Sequence, residues 1–387
     1  MHAFASRMSC LLALLAGLAS AQTEYGTVQL PANLADAGAK VLGVLNKNPT
    51  TNVDFGYCEG PTTDTLGNLY FSQFDPNNDL NSTIWKVPPT GAATPFYSSL
   101  EGSNGMEFDP QGRLVACQNM AVRRINANGT TTTLAADGNG LSLHRVNDLS
   151  IGSTGAMYFT NHATGNNVFF MNAAGKVTTF TGVAGNNFKT PNGVEWIEEK
   201  KQVYVTMDGP AAVYRYDVND DGSLKNEKLF ASVKEPDGLT VDELGNLYIA
   251  SYNDGAIMVY DSTGKSLGKV TVKSANPSLQ GPGGNASNCT IGGPDKKTLY
   301  ITGNGGSYKV QLKVGSRKRP GGSTSVRPRM GFAPLRAPGY AEALASGPLF
   351  NSAGRSIPSA RIFPAGSNVR GTPAGSFYLA RPAAPAR

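Results

Sequence analysis

Short apolar runs recur along the chain, each entered from a polar turn and closed by a small residue. They are Asp64-Thr-Leu-Gly-Asn-Leu-Tyr-Phe-Ser72, Asp109-Pro-Gln-Gly-Arg-Leu-Val-Ala-Cys117, Gly152-Ser-Thr-Gly-Ala-Met-Tyr-Phe-Thr160, Glu198-Glu-Lys-Lys-Gln-Val-Tyr-Val-Thr206, Asp242-Glu-Leu-Gly-Asn-Leu-Tyr-Ile-Ala250 and Pro294-Asp-Lys-Lys-Thr-Leu-Tyr-Ile-Thr302. The aligned positions Leu69, Leu114, Met157, Val203, Leu247 and Leu299 lie 45, 43, 46, 44 and 52 residues apart. A period in the forties with room for four strands per unit is the signature of propeller blades. A second strand follows each copy, such as Asn167-Val-Phe-Phe-Met171, and then a turn and a third strand, as in Gly175-Lys-Val-Thr-Thr-Phe180. Before each copy stands an apolar stretch with Gly or Asp, for example Asn192-Gly-Val-Glu-Trp196. In a propeller these are the innermost strands, and their first residues point at the channel mouth. The pattern predicts an all-β fold, a six-bladed β-propeller over residues 22 to about 314. WD and kelch signatures are absent and there is no seventh copy. Part of 26–53, which lies outside the repeats, is expected to close the ring beside the last blade.

Composition agrees with many turns and short strands: Gly 46 and Pro 24 in 387 residues, with 16% charged. Residues 1–21 stand apart. Arg7, an apolar stretch from Leu11 to Leu18 and the triplet Ala19-Ser20-Ala21 form the pattern of a secretory signal peptide, so a secreted or periplasmic protein is expected. No segment offers the roughly eighteen continuous apolar residues of a membrane span. Cys10 leaves with the signal. Cys58, Cys117 and Cys289 allow one disulfide at most and lack zinc-site spacing, so they read as small buried residues.

Charge is divided unevenly. From Gly315 onward eleven Lys and Arg stand against one acid, Glu342, which puts +10 in the tail of a chain whose total is +6. With Arg7 set aside as well, the body carries −5, so the basic total is no argument for nucleic-acid binding. The tail, 315–387, is rich in Pro, Ala, Gly and Arg, loses the alternation of the body, and is expected to be disordered.

Four motifs stand just before inner strands: Cys58-Glu59-Gly60-Pro61, Arg145-Val146-Asn147-Asp148, Pro191-Asn192-Gly193-Val194 and Pro236-Asp237-Gly238-Leu239. Each alone is also ordinary turn chemistry. Their recurrence at one structural position is what brings Glu59, Asn147, Asn192 and Asp237 toward a common point. Two carboxylates with carboxamide oxygens form a hard donor set, suited to Ca²⁺, Mg²⁺ or Mn²⁺ more than to zinc. His144 and His162, the histidines of the body, have no paired metal-ligand spacing and read as hydrogen-bonded structural residues, with a base or an extra ligand as the alternative. No Gly-x-Ser-x-Gly context supports a nucleophilic serine. Asn81, Asn128, Asn285 and Asn288 fit the glycosylation sequon.

Taken in order, Glu-Gly-Pro, Arg-x-Asn-Asp, Pro-Asn-Gly, Pro-Asp-Gly-Leu and Asn288-Cys-Thr-Ile-Gly-Gly-Pro-Asp-Lys-Lys-Thr-Leu-Tyr-Ile-Thr302 resemble the SMP-30, gluconolactonase and regucalcin family over about residues 50 to 314. The resemblance implies one divalent cation, Ca²⁺ first with Mg²⁺, Mn²⁺, Zn²⁺ or Fe²⁺ as alternatives, held by Glu59, Asn192 and Asp237. It implies a lactone held by Arg145 and Asn147, with Asp237 also taking part in catalysis. The activity so implied is metal-dependent hydrolysis of a small sugar-type lactone to its hydroxy acid, by a monomer with no nucleic-acid partner. A non-catalytic secreted propeller, binding a ligand or partner around a structural cation, is the alternative from another class. A condensing enzyme of the strictosidine-synthase type is a third, which no residue specifically supports. The tail has no counterpart in the family.

Overall fold

The repeat in the sequence is a local turn tied to the strand that follows it. Asp64 Oδ1 accepts the amides of Leu66 (3.0 Å) and Asn68 (2.9 Å), and its Oδ2 takes the Asn68 side chain (2.6 Å) and the Tyr70 hydroxyl (3.2 Å). Asp242 does the same with Leu244, Asn246 and Tyr248, and Asp109 repeats the backbone part with Gln111 and Arg113. The turn needs a left-handed residue, which Gly67 supplies at φ 80° and Gly245 at φ 85°. These bonds join residues two to six apart, so each copy encodes its own turn.

The computed structural model describes residues 23–317 apart from 77, 127–128, 139, 163–164 and 280–284, together with 349–350 and 356–357. β1 (Glu24–Gln29) and β2 (Lys40–Leu45) precede the repeats. Then come β3 (Cys58–Thr63), β4 (Leu69–Asp75), β5 (Asn78–Val87), β6 (Thr94–Ser99), β7 (Ser103–Phe108), β8 (Leu114–Gln118), β9 (Ala121–Ile125) and β10 (Thr131–Ala135). The short pair β11 (Asp137–Gly138) and β12 (Leu141–Ser142) leads to β13 (Val146–Ile151), β14 (Met157–Asn161), β15 (Asn167–Met171) and β16 (Val177–Phe180). The pair β17 (Gly182–Val183) and β18 (Asn186–Asn187) leads to β19 (Pro191–Ile197), β20 (Gln202–Met207), β21 (Ala212–Val218) and β22 (Leu224–Ser232). The series ends with β23 (Pro236–Val241), β24 (Leu247–Ser251), β25 (Ala256–Tyr260), β26 (Ser266–Thr271), β27 (Ala286–Gly292), β28 (Thr298–Gly303) and β29 (Gly306–Gln311). Among the described residues, helix is limited to two single 3-10 turns, Glu198–Lys200 and Pro277–Leu279. None is long and apolar enough to cross a membrane.

β3–β6, β7–β10, β13–β16 and β19–β22 are four-stranded antiparallel sheets in chain order. The rest form one nine-stranded sheet, β23-β24-β25-β26-β1-β2-β29-β28-β27. β2 stands beside β29, where the last repeat lacks a fourth strand of its own. β1 is an addition that the repeat count did not foresee: it bonds β26 on one side and β2 on the other. Two repeats that the period separates are thereby stitched together, and edges that would expose unpaired N–H and C=O groups are covered. The innermost strands β3, β7, β13, β19, β23 and β27 pack one against the next, and β27 also packs on β3.

The core lies between successive sheets. Tyr158, Val168, Phe170, Trp196, Val203, Val205 and Tyr216, for example, fill the space between the β13–β16 and β19–β22 sheets. Full burial of such a side chain contributes about 1.5–3 kcal/mol. The chain stays fastened to this body beyond residue 314. The Gly315 amide donates to Glu243 (2.7 Å) and the Ser316 amide to the Lys296 carbonyl (2.7 Å). The Arg317 guanidinium donates to Glu195 (2.6 Å), the Trp196 carbonyl (2.8 Å) and Glu199 (3.3 Å). The expected leader lies outside the described residues. So does the expected disordered tail beyond Arg317, except for a two-residue strand pair, Leu349–Phe350 with Ser356–Ile357.

Candidate functional site

Each inner strand loses register with its neighbour at the same place: between Glu59 and Thr62, Ser103 and Met106, Val146 and Leu149, Pro191 and Val194, Pro236 and Leu239, and Ala286 and Asn288. Irregularities of this kind re-aim side chains. The second residues of these strands are Glu59, Asn104, Asn147, Asn192, Asp237 and Ser287. Glu59, Asn192 and Asp237 are buried, and Asn147 is half-buried.

The third residues are Gly60, Gly105, Asp148, Gly193, Gly238 and Asn288, so two polar side chains interrupt a series of glycines. Asn288 Nδ2 donates to Asp148 Oδ2 at 3.5 Å, and both residues are buried. A Cβ on Gly105 would strike the Asp148 carboxylate, and one on Gly238 would strike the Asn288 carboxamide. The glycines are thus the space that this pair occupies.

Burial dominates the electrostatics. It pushes the Glu59 carboxyl up, while the Tyr57 hydroxyl (2.5 Å), the Gly60 amide (3.0 Å), Asn288 and the charge of His162 pull it back. Asp237 is driven well above the carboxylate range by burial, then by the negative charges of Glu59, Asp208 and Asp148, with the Gly238 amide opposing. Asp148 is pushed up to about 7, mainly by burial and also by Glu59 and Glu195, against the Leu149 amide and Asn288. Three acids therefore share one buried region, where Glu59 raises Asp148 and both raise Asp237.

A second register position, two residues beyond the end of each repeat, carries Phe74, Asn119, His162, Asp208, Tyr252 and Asn304. On one side the Tyr57 ring lies 5.9 Å from Phe74 and 6.0 Å from Tyr252, a half-buried aromatic wall. On another, His162 Nε2 meets Asp208 Oδ2 at 2.7 Å. Arg145 is exposed just before β13, with a left-handed backbone at φ 56°, and its carbonyl accepts the His162 amide at 3.3 Å. His144 beside it is exposed.

Sequence reasoning did not assign Tyr57, Asp148, Asp208, Tyr252 or Asn288 to the site. Asp148 and Asn288 carry a legible signal, since they replace glycine in aligned inner strands. The mouth residues would have emerged from extending the repeat alignment by two positions. Burial and these internal bonds also rule Asn288 out as a glycosylation acceptor in the folded protein. Cys58, Cys117 and Cys289 are buried free thiols.

Among the described residues no group of three His, Cys, Asp or Glu side chains is placed to hold a metal. The set in question has two carboxylates, Glu59 and Asp237, with a carboxamide. Asn192 Oδ1 is buried and has no hydrogen-bond partner. A buried carbonyl oxygen left without a donor, at the same register position as two carboxylates that burial disfavours as anions, fits an oxygen-seeking divalent cation.

The pentonolactonase XacC of Haloferax volcanii is 29% identical over 171 residues, 42% of this chain and 54% of that protein, so the chain spans about half the length of this relative. The lactonase drp35 of Staphylococcus saprophyticus is 24% identical over 55% of this chain and 68% of its own. Regucalcin of Xenopus laevis is 27% identical over 29% of this chain and 36% of its own. Among solved structures, a gluconolactonase of Xanthomonas campestris superposes with a TM-score of 0.61 at 23% identity, covering 75% of this chain and 97% of that one. The β-propeller fold is thereby shared. Residues 57–304 match the SMP-30/Gluconolactonase/LRE-like region, and the chain belongs to that family.

Proposed function

We propose that the protein is a lactone hydrolase working with one divalent cation, on a propeller of six blades whose inner strands are β3, β7, β13, β19, β23 and β27. The observation that carries this reading is the buried Glu59–Asp237 pair, with the orphan oxygen of Asn192 at the same register position of its inner strand. Relatives named as lactonases support the reaction class. The substrate we favour is a small sugar-type lactone, whose apolar ring face suits the wall of Tyr57, Phe74 and Tyr252.

Glu59, Asn192 and Asp237 would hold the cation. It would supply Lewis acidity toward a carbonyl oxygen and its attacking water. The chain's own residues do the rest. Tyr57, Gly60 and Asn288 fix the Glu59 carboxylate in one orientation. Asp237, ionised beside the cation, takes a proton from the attacking water. Arg145 and Asn147, at the start of β13, hold the lactone's oxygens over the opening. The leader-like N-terminus supports placing this reaction outside the cytoplasm.

The test is hydrolysis of a panel of aldonolactones by the chelator-stripped protein, with Ca²⁺, Mg²⁺, Mn²⁺, Zn²⁺ or Fe²⁺ restored singly. Turnover should return with a cation and vanish in Asp237→Asn. Cation binding without turnover would replace this reading with that of a ligand-binding propeller.

A further inference from the structure

We infer that His162, held by Asp208, gives the departing ring oxygen its proton when the lactone opens. This rests on the lactone-hydrolase reading and adds to it a group that the cation set lacks. Lactone opening needs two proton transfers. Water must lose a proton as its oxygen bonds to the carbonyl carbon. The ring oxygen must gain one as its bond to that carbon breaks and the electron pair stays on it. Asp237 serves the first transfer, but it is buried on the inner strand and belongs to the oxygen set.

His162 is placed for the second. It stands directly after β14, and Asp208 directly after β20, at the same register position of neighbouring repeats. The packing of β13 against β19 brings together two side chains that are 46 residues apart. Their 2.7 Å bond ties up Nε2, so proton exchange with a substrate falls to Nδ1. Each side chain is 29% exposed, open to a solute at the mouth yet held by its partner. The pair also reaches the buried acids: the charge of His162 acts on Glu59, and that of Asp208 on Asp237. A carboxylate on one ring nitrogen sets the tautomer and direction of the other, which makes Asp208 the positioning residue and His162 the acid. In the imidazolium form, Nδ1–H passes its proton to the ring oxygen while Nε2–H stays on Asp208. Solvent then returns the proton to Nδ1, and the product is the hydroxy acid.

The test exploits the leaving group. An aldonolactone releases an alkoxide and needs a proton donor; dihydrocoumarin releases a phenoxide and does not. His162→Gln should lower kcat on the aldonolactone about a hundredfold or more, and on dihydrocoumarin only a few-fold. Asp208→Asn should show the same asymmetry at roughly tenfold. Ca²⁺ affinity should shift only a few-fold, with saturation still reached, and the thermal midpoint should stay near the wild-type value in both, which separates proton donation from misfolding or a lost cation. Equal losses on the two lactones, or none on either, would overturn the assignment and leave the lactone-hydrolase reading standing. A wild-type protein that turns over neither lactone with any cation would bring down both.

Discussion

Asn192 and Glu195 lie on one strand, about 10 Å apart, and the acids around them are treated in opposite ways. Glu195 is 4% exposed, and burial pushes its carboxyl up, but the Arg317 guanidinium, itself 8% exposed, sits against it and pulls it back. Toward the mouth, Glu59 and Asp237 are equally buried, yet the influences on Asp237 after burial are three further negative charges. Burying an ion costs several kcal/mol unless a partner offsets it. At one end of the strand the chain provides the partner from its own sequence, and the result is a fastening. At the other it assembles acids that oppose one another, an arrangement that makes sense where the positive charge comes from outside.

The sharpest way to break this contrast is to remove a mouth acid. Asp237→Asn and Glu59→Gln should each cost about 4 kcal/mol of transition-state stabilisation, roughly a thousandfold in kcat/KM. In Asp237→Asn the metal-free thermal midpoint should hold or rise, because an acid opposed by burial and by three neighbouring negative charges is gone. Steady-state kinetics and calorimetry check the two halves. Arg317→Ala should do the reverse, destabilising by about 3–5 kcal/mol in urea unfolding because Glu195 is left buried and unpaired, with kcat unchanged where the protein is folded. Replacing both partners, Glu195→Leu with Arg317→Met, should recover most of that loss.

Acidity gives the next largest effect. Asp148 has a folded-state pKa of about 7, above its unfolded value, so its contribution to stability is full at low pH and is lost as pH rises through that value. Glu59 and Asp237 act in the same direction. Metal-free protein should therefore be more stable near pH 5 than near pH 7.5, by a few kcal/mol on the order expected for such shifts. Asp148→Asn should flatten the profile, measured by chemical denaturation across pH. Smallest is Asn288→Ala, which frees Glu59 and Asp148 and should weaken cation binding about 10- to 100-fold by calorimetric titration.

Much of this was legible in the residue order because the bonds responsible are short-range. Asp64, Asp109 and Asp242 fold turns with residues two to four positions on, so the repeat and its strands could be read directly. The motifs around Glu59, Asn192 and Asp237 likewise stand just ahead of apolar strands, and the structure places all three buried at the starts of inner strands. What the chain order could not decide is which polar groups find partners. The bridge from Asn288 to Asp148 spans 140 residues, Arg317 reaches back 122 to Glu195, and His162 meets Asp208 across two sheets. β1 enters between two repeats from the opposite end of the chain. Turn and strand chemistry depends on neighbours in sequence. Charge compensation depends on what packing brings within a few ångströms after water is excluded, and only the tertiary structure settles that.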